Sequence, residues 1–380
     1  MMFDRLRNGF SRLRALGVRA ERAETSLNAI TEELRSLRML VEEMQRSQHE
    51  LRERVEAVHG VAANTQLLAG ETLSSVNDHR IRGLHLQDTL RLAMGRVEAR
   101  QTAAEGGRTW HQNEFRVYSQ FGEDGLLQFL CREIADLPHR FVEFGVEDYQ
   151  EANTRFLLLQ DRSWSGLVMD GSGDNVGAIL RDSAYQRHDL QAVTAWISRD
   201  NIDRLLMDHC FTGEIGLLSI DVDGNDYWIW DAITAVDPVV VVIEYNYRFG
   251  PDTAVVVPYQ ADFDKTKAHP SAIYYGASLR ALVALGCRKG YAFVGCSQGG
   301  VNAFFVRRDR LPESIAEVTV AEGYVAGAHA EMVDPATGTP VKASLEEQRN
   351  LLLTLPLVAI EEQEAIAAHA ETQRQIHGTR

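Results

Sequence analysis

The order of apolar and polar residues divides the chain into a helical N-terminal part and an alternating α/β part. Within the first part, apolar side chains recur at two heptad positions, which predicts a coiled coil over residues 27–60. The two series are Leu27, Leu34, Val41, Gln48 and Val55, and Ile30, Leu37, Met44, Leu51 and Val58. A single amphipathic helix packed on the chain's own domain is the alternative interpretation.

Helical patterns also flank the heptads. Residues 1–26 predict a basic amphipathic helix, whose apolar side chains at helical spacing lie among arginines, as in helices that bind a membrane surface. A solvated or partner-bound helix end is the alternative there. Residues 61–110 predict a helical linker that ends near Glu105-Gly106-Gly107, and residues 313–380 predict a helical extension interrupted at Pro356.

From Ser119 onward, short apolar runs alternate with helix-length segments, which predicts an α/β domain over residues 111–312. Helices are expected at Gln120–Ile134 and Ser278–Leu285. The short turn Gln298-Gly299-Gly300 joins the last two strands as a hairpin, so we expect a doubly wound seven-stranded sheet with an antiparallel strand near one edge. The predicted strands are Phe141–Val146, Gly166–Gly171, Gln186–Leu190, Ile215–Asp223, Val239–Asn246, Tyr291–Ser297 and Asn302–Arg307.

The charge balance narrows the possible partners. The formal net charge of −15 argues against general nucleic-acid binding, although the first 22 residues hold six arginines against Asp4 and Glu21. The four cysteines show no CxxC spacing, and the sequence contains neither a signal peptide nor a long apolar run. We therefore expect a cytoplasmic protein, located at the inner face of the membrane if the basic helix binds lipid.

Ligands of doubly wound sheets bind at the carboxyl ends of the strands, so the polar residues there are the candidate site residues. The first predicted strand ends with Glu143 and Gly145, the second with Asp170 and the third with Asp189. An acidic residue after the second strand is suited to accept hydrogen bonds from ribose hydroxyls, whereas Gly145 would let the backbone approach a ligand. The order of these residues predicts a nucleoside site.

A second acidic group follows the fourth and fifth predicted strands. Strand alternation places Asp221 with Asp223 on one face, and Glu244 with Asn246 on one face. Four oxygen-bearing side chains in one region predict basic partners, raised pKa values, or a divalent cation such as Mg²⁺ held by all four. Turn and helix-cap chemistry at Asp223-Gly224-Asn225-Asp226 is the alternative.

Seven segments together resemble the FkbM-like methyltransferase family, which includes relatives found among surface-polysaccharide genes. They span roughly Tyr118 to Arg308, about half of the chain. The segments are YSQFGEDGLLQFL, RFVEFGVEDYQEANTRFLL, WSGLVMDGS, GLLSIDVDGNDYWIW, VVVVIEYNYRFGP, YYGASLRALVALG and GVNAFFVRRD.

The resemblance implies a class I, Rossmann-like fold and S-adenosylmethionine-dependent O-methylation of a sugar or related hydroxyl. It implies that Glu143 and Gly145 form the loop at the methionine end of the cofactor, that Asp170 holds the ribose and that Asp189 meets the adenine. Gln120 and Glu123 would contact the cofactor near the domain entrance. The chain departs from the usual GxG loop, because Glu147 stands at the position of the second glycine.

Methyl transfer to a hydroxyl also needs a proton acceptor. We predict Asp221 for this role, as base or metal ligand, and His269 as a second candidate. The expected partners are a sugar or glycan acceptor and further copies of the chain. A non-catalytic scaffold with a degenerate methyltransferase fold is the alternative function, and Glu147 favours it. A sugar-nucleotide oxidoreductase is disfavoured because the sequence lacks GxGxxG after the first strand.

Overall fold

The computed structural model describes residues 8–9, 26, 30–53, 66–107, 109–327 and 331–361. Its contacts divide the chain into two compact units, Met1–Arg108 and Thr109–Arg380. Most of the predicted basic helix over residues 1–26 lies outside the described residues, as do residues 27–29 and 54–60 of the predicted coiled coil. None of the helices in the described part of the chain has the length and apolar character needed to cross a membrane.

The N-terminal unit contains two long helices, α1 over residues 30–53 and α2 over Gln66–Ala104. Glu33 of α1 and Arg100 of α2 form an ion pair within this unit. Of the two predicted heptad series, the one containing Leu37 is half-buried along α1, whereas Leu34 and Val41 of the other are 55% and 37% exposed. The predicted helix is confirmed over residues 30–53, and its pairing with a second chain stays a prediction.

The second unit is built on a seven-stranded sheet, whose strands are β1 (Arg140–Phe144), β2 (Ser165–Asp170), β3 (Asp189–Thr194), β4 (Gly213–Ile220), β5 (Val236–Glu244), β7 (Tyr291–Cys296) and β8 (Asn302–Arg307). Their order in the sheet is β3-β2-β1-β4-β5-β8-β7. All neighbouring pairs are parallel except those of β8, which is antiparallel to both β5 and β7. This arrangement confirms the predicted doubly wound sheet with an antiparallel strand near one edge. A further short strand, β6 (Val255–Val256), lies outside this sheet.

Helices cover both faces of this sheet. Successive residues of a strand belong to different apolar clusters, with Phe141 packed on one face and Val142 on the other, as expected for a sheet buried on both sides. The helices are α3 (Glu123–Glu133), α4 (Arg155–Gln160), α5 (Gly173–Arg181), α6 (Ser183–Arg187), α7 (Ile202–Asp208), α8 (Asp226–Ala232), α9 (Lys265–Ala268) and α10 (Leu279–Arg288).

The segment after residue 312 differs from the expected helical extension. It contains short strand pairs as well as helices, and its last strand pairs with β6. Buried Gln348 accepts a hydrogen bond of 2.6 Å from Arg248 Nε, which ties this segment to the loop after β5. Its elements are α11 (Val320–Gly323), β9 (Glu331–Val333), β10 (Pro340–Lys342), α12 (Leu345–Leu353) and β11 (Val358–Ala359).

Candidate functional site

A cavity of about 660 Å³ opens at the carboxyl ends of the central strands. One residue near the end of each strand from β1 to β5 lines it, and residues 263–266 close one side. The five residues are Gly145, Asp170, Trp196, Asp221 and Glu244. The volume is within the range of small-molecule sites, and the location is where doubly wound sheets bind ligands.

The loop after β1 is held against the end of β4. Gly145 has φ +70°, and a Cβ atom built there would lie 1.5 Å from the backbone oxygen of Asp221. Both the backbone conformation and the close contact therefore require glycine. Glu143 accepts hydrogen bonds from the backbone N–H groups of Asn153 (2.8 Å) and Thr154 (3.1 Å). Although Glu143 lines the cavity, its carboxylate is thus engaged in holding the far end of this loop.

Glu147, the departure from the GxG pattern, adopts a left-handed backbone conformation with φ +49°. Its backbone N–H donates to Asp170 Oδ2 (2.9 Å), and the residue itself is exposed. The chain thus keeps the left-handed conformation that glycine would favour at this position and accepts the strain of a larger residue.

Asp170 lies at the end of β2, where the sequence places it. Its Oδ1 accepts hydrogen bonds from the backbone N–H of Ser172 (2.8 Å) and from Asn175 Nδ2 (3.0 Å). Together with the bond from Glu147, these contacts fix the carboxylate at the cavity wall, where it is 8% exposed. A carboxylate has about four acceptor positions, so one remains for a ligand hydroxyl.

The prediction for Asp189 is wrong, because β3 begins at this residue instead of ending there. Asp189 pairs with Ser165 at the start of β2, so it lies at the opposite edge of the sheet from the cavity. Trp196 follows the true end of β3 and lines the cavity, with its ring 56% exposed. Its Nε1 donates to the backbone oxygen of Ala261 (2.7 Å), which fixes the ring plane. The sequence did not predict Trp196 because the third strand was expected to end before Thr194.

Asp221, Asp223 and Glu244 form an acidic cluster, with one carboxylate oxygen of each within 4.8 Å of the others. Burial raises the pKa of Asp221, and nearby Asp226 and Asp223 raise it further. Burial and the neighbouring Asp221 raise the pKa of Glu244 in the same way. Oε2 of Glu244 is buried and has no hydrogen-bond partner among the described residues. The cluster therefore provides carboxyl groups, of which Glu244 is buried and Asp221 half-buried, that can accept a proton or contact a cation.

Turn chemistry accounts for part of the same segment. Asp226 accepts hydrogen bonds from the backbone N–H groups of Val222 (2.8 Å) and Gly224 (2.9 Å), so this carboxylate folds the turn. Asp223 has φ +58° and is exposed at the cavity. In this segment, turn chemistry therefore explains Asp226, whereas Asp223 belongs to the acidic cluster at the cavity.

Asn246 is not part of the cluster, which corrects the predicted ligand set. Its Nδ2 donates to the backbone oxygens of Ile273 (2.9 Å) and Tyr275 (3.1 Å), and its Oδ1 accepts from Arg248 N (3.2 Å). Both ends of the amide therefore fold the loop after β5, and Asn246 does not line the cavity.

Lys265 lies beside the acidic cluster, a contact that the sequence did not predict. Its ammonium group forms an ion pair with Asp223, and it lines the cavity. Although burial lowers its pKa, the stronger effect of Asp223, Glu244 and Asp221 together raises the pKa of this lysine above its ordinary value. The two partners are 42 residues apart, so no local pattern could reveal the pair.

Two further predicted residues lie away from the cavity, whereas Gln120 lines it. Glu123 is fully buried and accepts hydrogen bonds from Phe121 N (2.9 Å) and Asn302 Nδ2 (3.0 Å), so it cannot contact a cofactor. The Nδ1 of His269 bonds to Ser271 Oγ (2.7 Å) in the loop after α9. Neither residue lines the cavity, and both predictions are therefore wrong.

No protein-family model matches the chain, and no curated protein matches it. Among solved structures, an O-methyltransferase from Bacillus cereus in complex with S-adenosylhomocysteine is similar at 12% identity, covering 56% of this chain and 88% of that one, with a TM-score of 0.33. An S-adenosylmethionine-dependent methyltransferase from Clostridium acetobutylicum is 7% identical, covering 54% and 95%, with a TM-score of 0.31. Similarities of this size identify neither an activity nor a ligand for this chain.

Proposed function

We propose that the chain is an S-adenosylmethionine-dependent O-methyltransferase that acts on a sugar or related hydroxyl. The observation that carries the proposal is the order of groups along one edge of the sheet. A glycine loop, a carboxylate and an exposed tryptophan lie at the carboxyl ends of β1, β2 and β3, and half-buried Asp221 and buried Glu244 lie at those of β4 and β5. The first three suit a nucleoside, and the last group suits proton transfer.

The charge of the cavity supports this cofactor over a dinucleotide. Eight carboxylates line the cavity, whereas Lys265 is the single cationic side chain that the described residues contribute to it. Coulomb repulsion disfavours an anionic dinucleotide or sugar nucleotide there, and it favours a ligand with a sulfonium and an ammonium group. The carboxylates are Glu143, Glu147, Glu151, Asp170, Asp221, Asp223, Glu244 and Asp264.

We assign the nucleoside to the side of the cavity near β2 and β3. Asp170 would accept a hydrogen bond from one ribose hydroxyl, and the fixed ring of Trp196 would pack on the adenine. Gly145, which has no side chain, would let the backbone approach the methionine part. When bound, S-adenosylmethionine supplies an electrophilic methyl group.

Asp221 is the residue that we assign as the proton acceptor. Its position at the end of β4 places it between the proposed nucleoside side and Glu244. Because burial and neighbouring carboxylates raise its pKa, Asp221 is a stronger base than an ordinary aspartate. The chain thus removes the hydroxyl proton with a group whose basicity is set by its surroundings.

The residues present fit the predicted Mg²⁺ poorly. Asp221, Asp223 and Glu244 could each offer one oxygen, but Asn246 is committed to the loop after β5. The ammonium group of Lys265 is already paired with Asp223 in the same cluster. The proposed reaction therefore uses no metal ion.

Substitution of Asp221 by asparagine tests this function. Purified full-length protein is incubated with S-adenosylmethionine and a panel of sugars and glycans, and S-adenosylhomocysteine release is measured. We expect Asp221→Asn to lower kcat about 10²-fold or more, while the thermal unfolding midpoint stays close to that of the parent protein. Full activity of this variant would refute the assigned role.

Residues 27–60 concern the association of the chain with other copies of itself. We propose that this segment joins copies of the chain through the exposed heptad series of Leu34 and Val41, and that the enzyme serves glycan assembly at the inner face of the membrane. Leu34 and Val41, seven positions apart on one exposed face of α1, support pairing with another helix.

A further inference from the structure

Lys265 has an unusual position for a cationic side chain, because the cavity that it lines is strongly acidic. It is the first residue of α9, a four-residue helix. Asp264 caps this helix by accepting a hydrogen bond of 2.9 Å from the backbone N–H of Thr266. The cap fixes the backbone from which the lysine side chain reaches Asp223 across the cavity.

The surroundings of the ammonium group are those of a cation site. Asp223 pairs with it directly, and the oxygens of Asp221 and Glu244 lie within 4.8 Å of one another and of Asp223. On another side, the ring centroid of Tyr275 is 5.7 Å from Lys265 Nζ, within the range of a cation–π contact. The side chain of Lys265 is 38% exposed, so protein groups provide most of its surroundings.

We propose that Lys265 is the resident cation of this site and takes the place of a divalent metal ion. A hard divalent ion needs about six oxygen ligands, and it would compete with the ammonium group for the carboxylate of Asp223. Because the lysine is part of the chain, it supplies positive charge to the cluster without an ion having to bind from solution. The lysine leaves Asp221 uncoordinated and available as a base.

This inference has two consequences, of which only the second rests on the proposed function. The protein should bind divalent cations weakly while Lys265 is present and more tightly once it is removed. Methyl transfer should be independent of metal, and Lys265 acts in it as a positioning residue that holds charge beside Asp221.

Mn²⁺ binding to the full-length protein tests the first consequence, because Mn²⁺ prefers carboxylate and water oxygens and its electron paramagnetic resonance signal reports free ion. The variants are Lys265→Met, Lys265→Gln and the control Lys267→Met. Lys267 lies two residues away, is 83% exposed and pairs with Asp264 outside the cluster. Thermal unfolding shows which of the two Lys265 variants is folded.

We expect no saturable Mn²⁺ binding below about 1 mM for the parent protein and Lys267→Met, and binding at least about tenfold tighter for a folded Lys265 variant. Micromolar Mn²⁺ binding by the parent protein would overturn the inference. So would a folded Lys265 variant that binds Mn²⁺ no more tightly than the control.

Activity tests the second consequence. EDTA should leave turnover of the parent protein unchanged, and Lys265→Met should lose at least about tenfold in kcat and regain part of it in Mn²⁺ or Mg²⁺. Rescue by metal is a result that a purely structural role of the lysine would not give. Inhibition of the parent protein by EDTA would contradict the inference. If no acceptor is methylated at all, the proposed function fails, whereas the Mn²⁺ measurement still decides the role of Lys265.

Discussion

Replacing Gly145 with alanine would place a methyl group where the loop after β1 touches the backbone of Asp221. The new Cβ atom would lie 1.5 Å from the backbone oxygen of Asp221, which is far inside van der Waals contact. Because that oxygen belongs to the main chain at the end of β4, rotation of a side chain cannot relieve the contact. The loop and the strand end must move apart.

Alanine at position 145 lowers the free energy of unfolding in two ways, through its backbone conformation and through the close contact. A left-handed backbone costs an alanine about 1–2 kcal/mol, and the lower entropy of its unfolded chain offsets about 0.4–1 kcal/mol of this. Forcing a methyl group into a packed contact costs about 1–3 kcal/mol more. Gly213→Ala is the matched control, because Gly213 has φ +71° and no atom of the described residues lies within 4 Å of the position that a Cβ would take there. We expect the free energy of unfolding of Gly145→Ala to be lower than that of this control by the cost of the packed contact, about 1–3 kcal/mol.

Urea denaturation of the full-length variants measures this difference, and calorimetric titration measures S-adenosylmethionine affinity. Because the loop would move by about 1 Å or more, we expect affinity to fall about 10²-fold in Gly145→Ala and to stay unchanged in Gly213→Ala. Equal stability of the two variants, with unchanged affinity in both, would refute the close contact and its role in the site.

Four further variants test other parts of the account. Burial, Asp226 and Asp223 raise the pKa of Asp221, in that order of size, and Asp223→Asn removes the last of these charges. The acid limb of kcat against pH should therefore move to lower pH. An acid limb that does not move would argue against Asp221 as the base. Trp196→Ala should weaken S-adenosylmethionine binding about tenfold with little change in melting temperature, and unaltered titration curves would exclude a role in stacking. His269→Ala should retain full kcat. Leu34→Asp, in the exposed heptad series, should dissociate the oligomer, as measured by light scattering, and an unchanged mass would contradict the predicted coiled coil.

The sheet was predictable because its signals are local. Each buried strand is a short apolar run, and the hairpin of β7 and β8 follows from the short turn at Gly299. Asp170, Asp221 and Glu244 were found because a polar residue at the end of an apolar run marks the binding edge of such a sheet. The prediction of these three residues therefore did not depend on tertiary contacts.

The errors have two physical causes. The first is the boundary of β3, where the polar residues of a half-exposed edge strand gave no sharp start, so Asp189 replaced Trp196 in the predicted site. The second is competition for polar groups by the fold itself. Glu123 and Asn246 carry side chains suited to bind a ligand, but both side chains are already hydrogen-bonded to other residues of the fold. Lys265 reaches Asp223 from a distant loop, which spacing along the chain cannot reveal.

Calorimetric titration of the full-length protein with S-adenosylmethionine and S-adenosylhomocysteine measures whether the chain binds the proposed cofactor. Asp170→Ala, checked for folding by thermal unfolding, is the control variant, and each titration is repeated with Mg²⁺ and with EDTA. We expect binding in the micromolar range, unaffected by Mg²⁺ or EDTA and weakened at least about tenfold in the variant. Absence of binding under every condition would contradict the account and favour a non-catalytic scaffold.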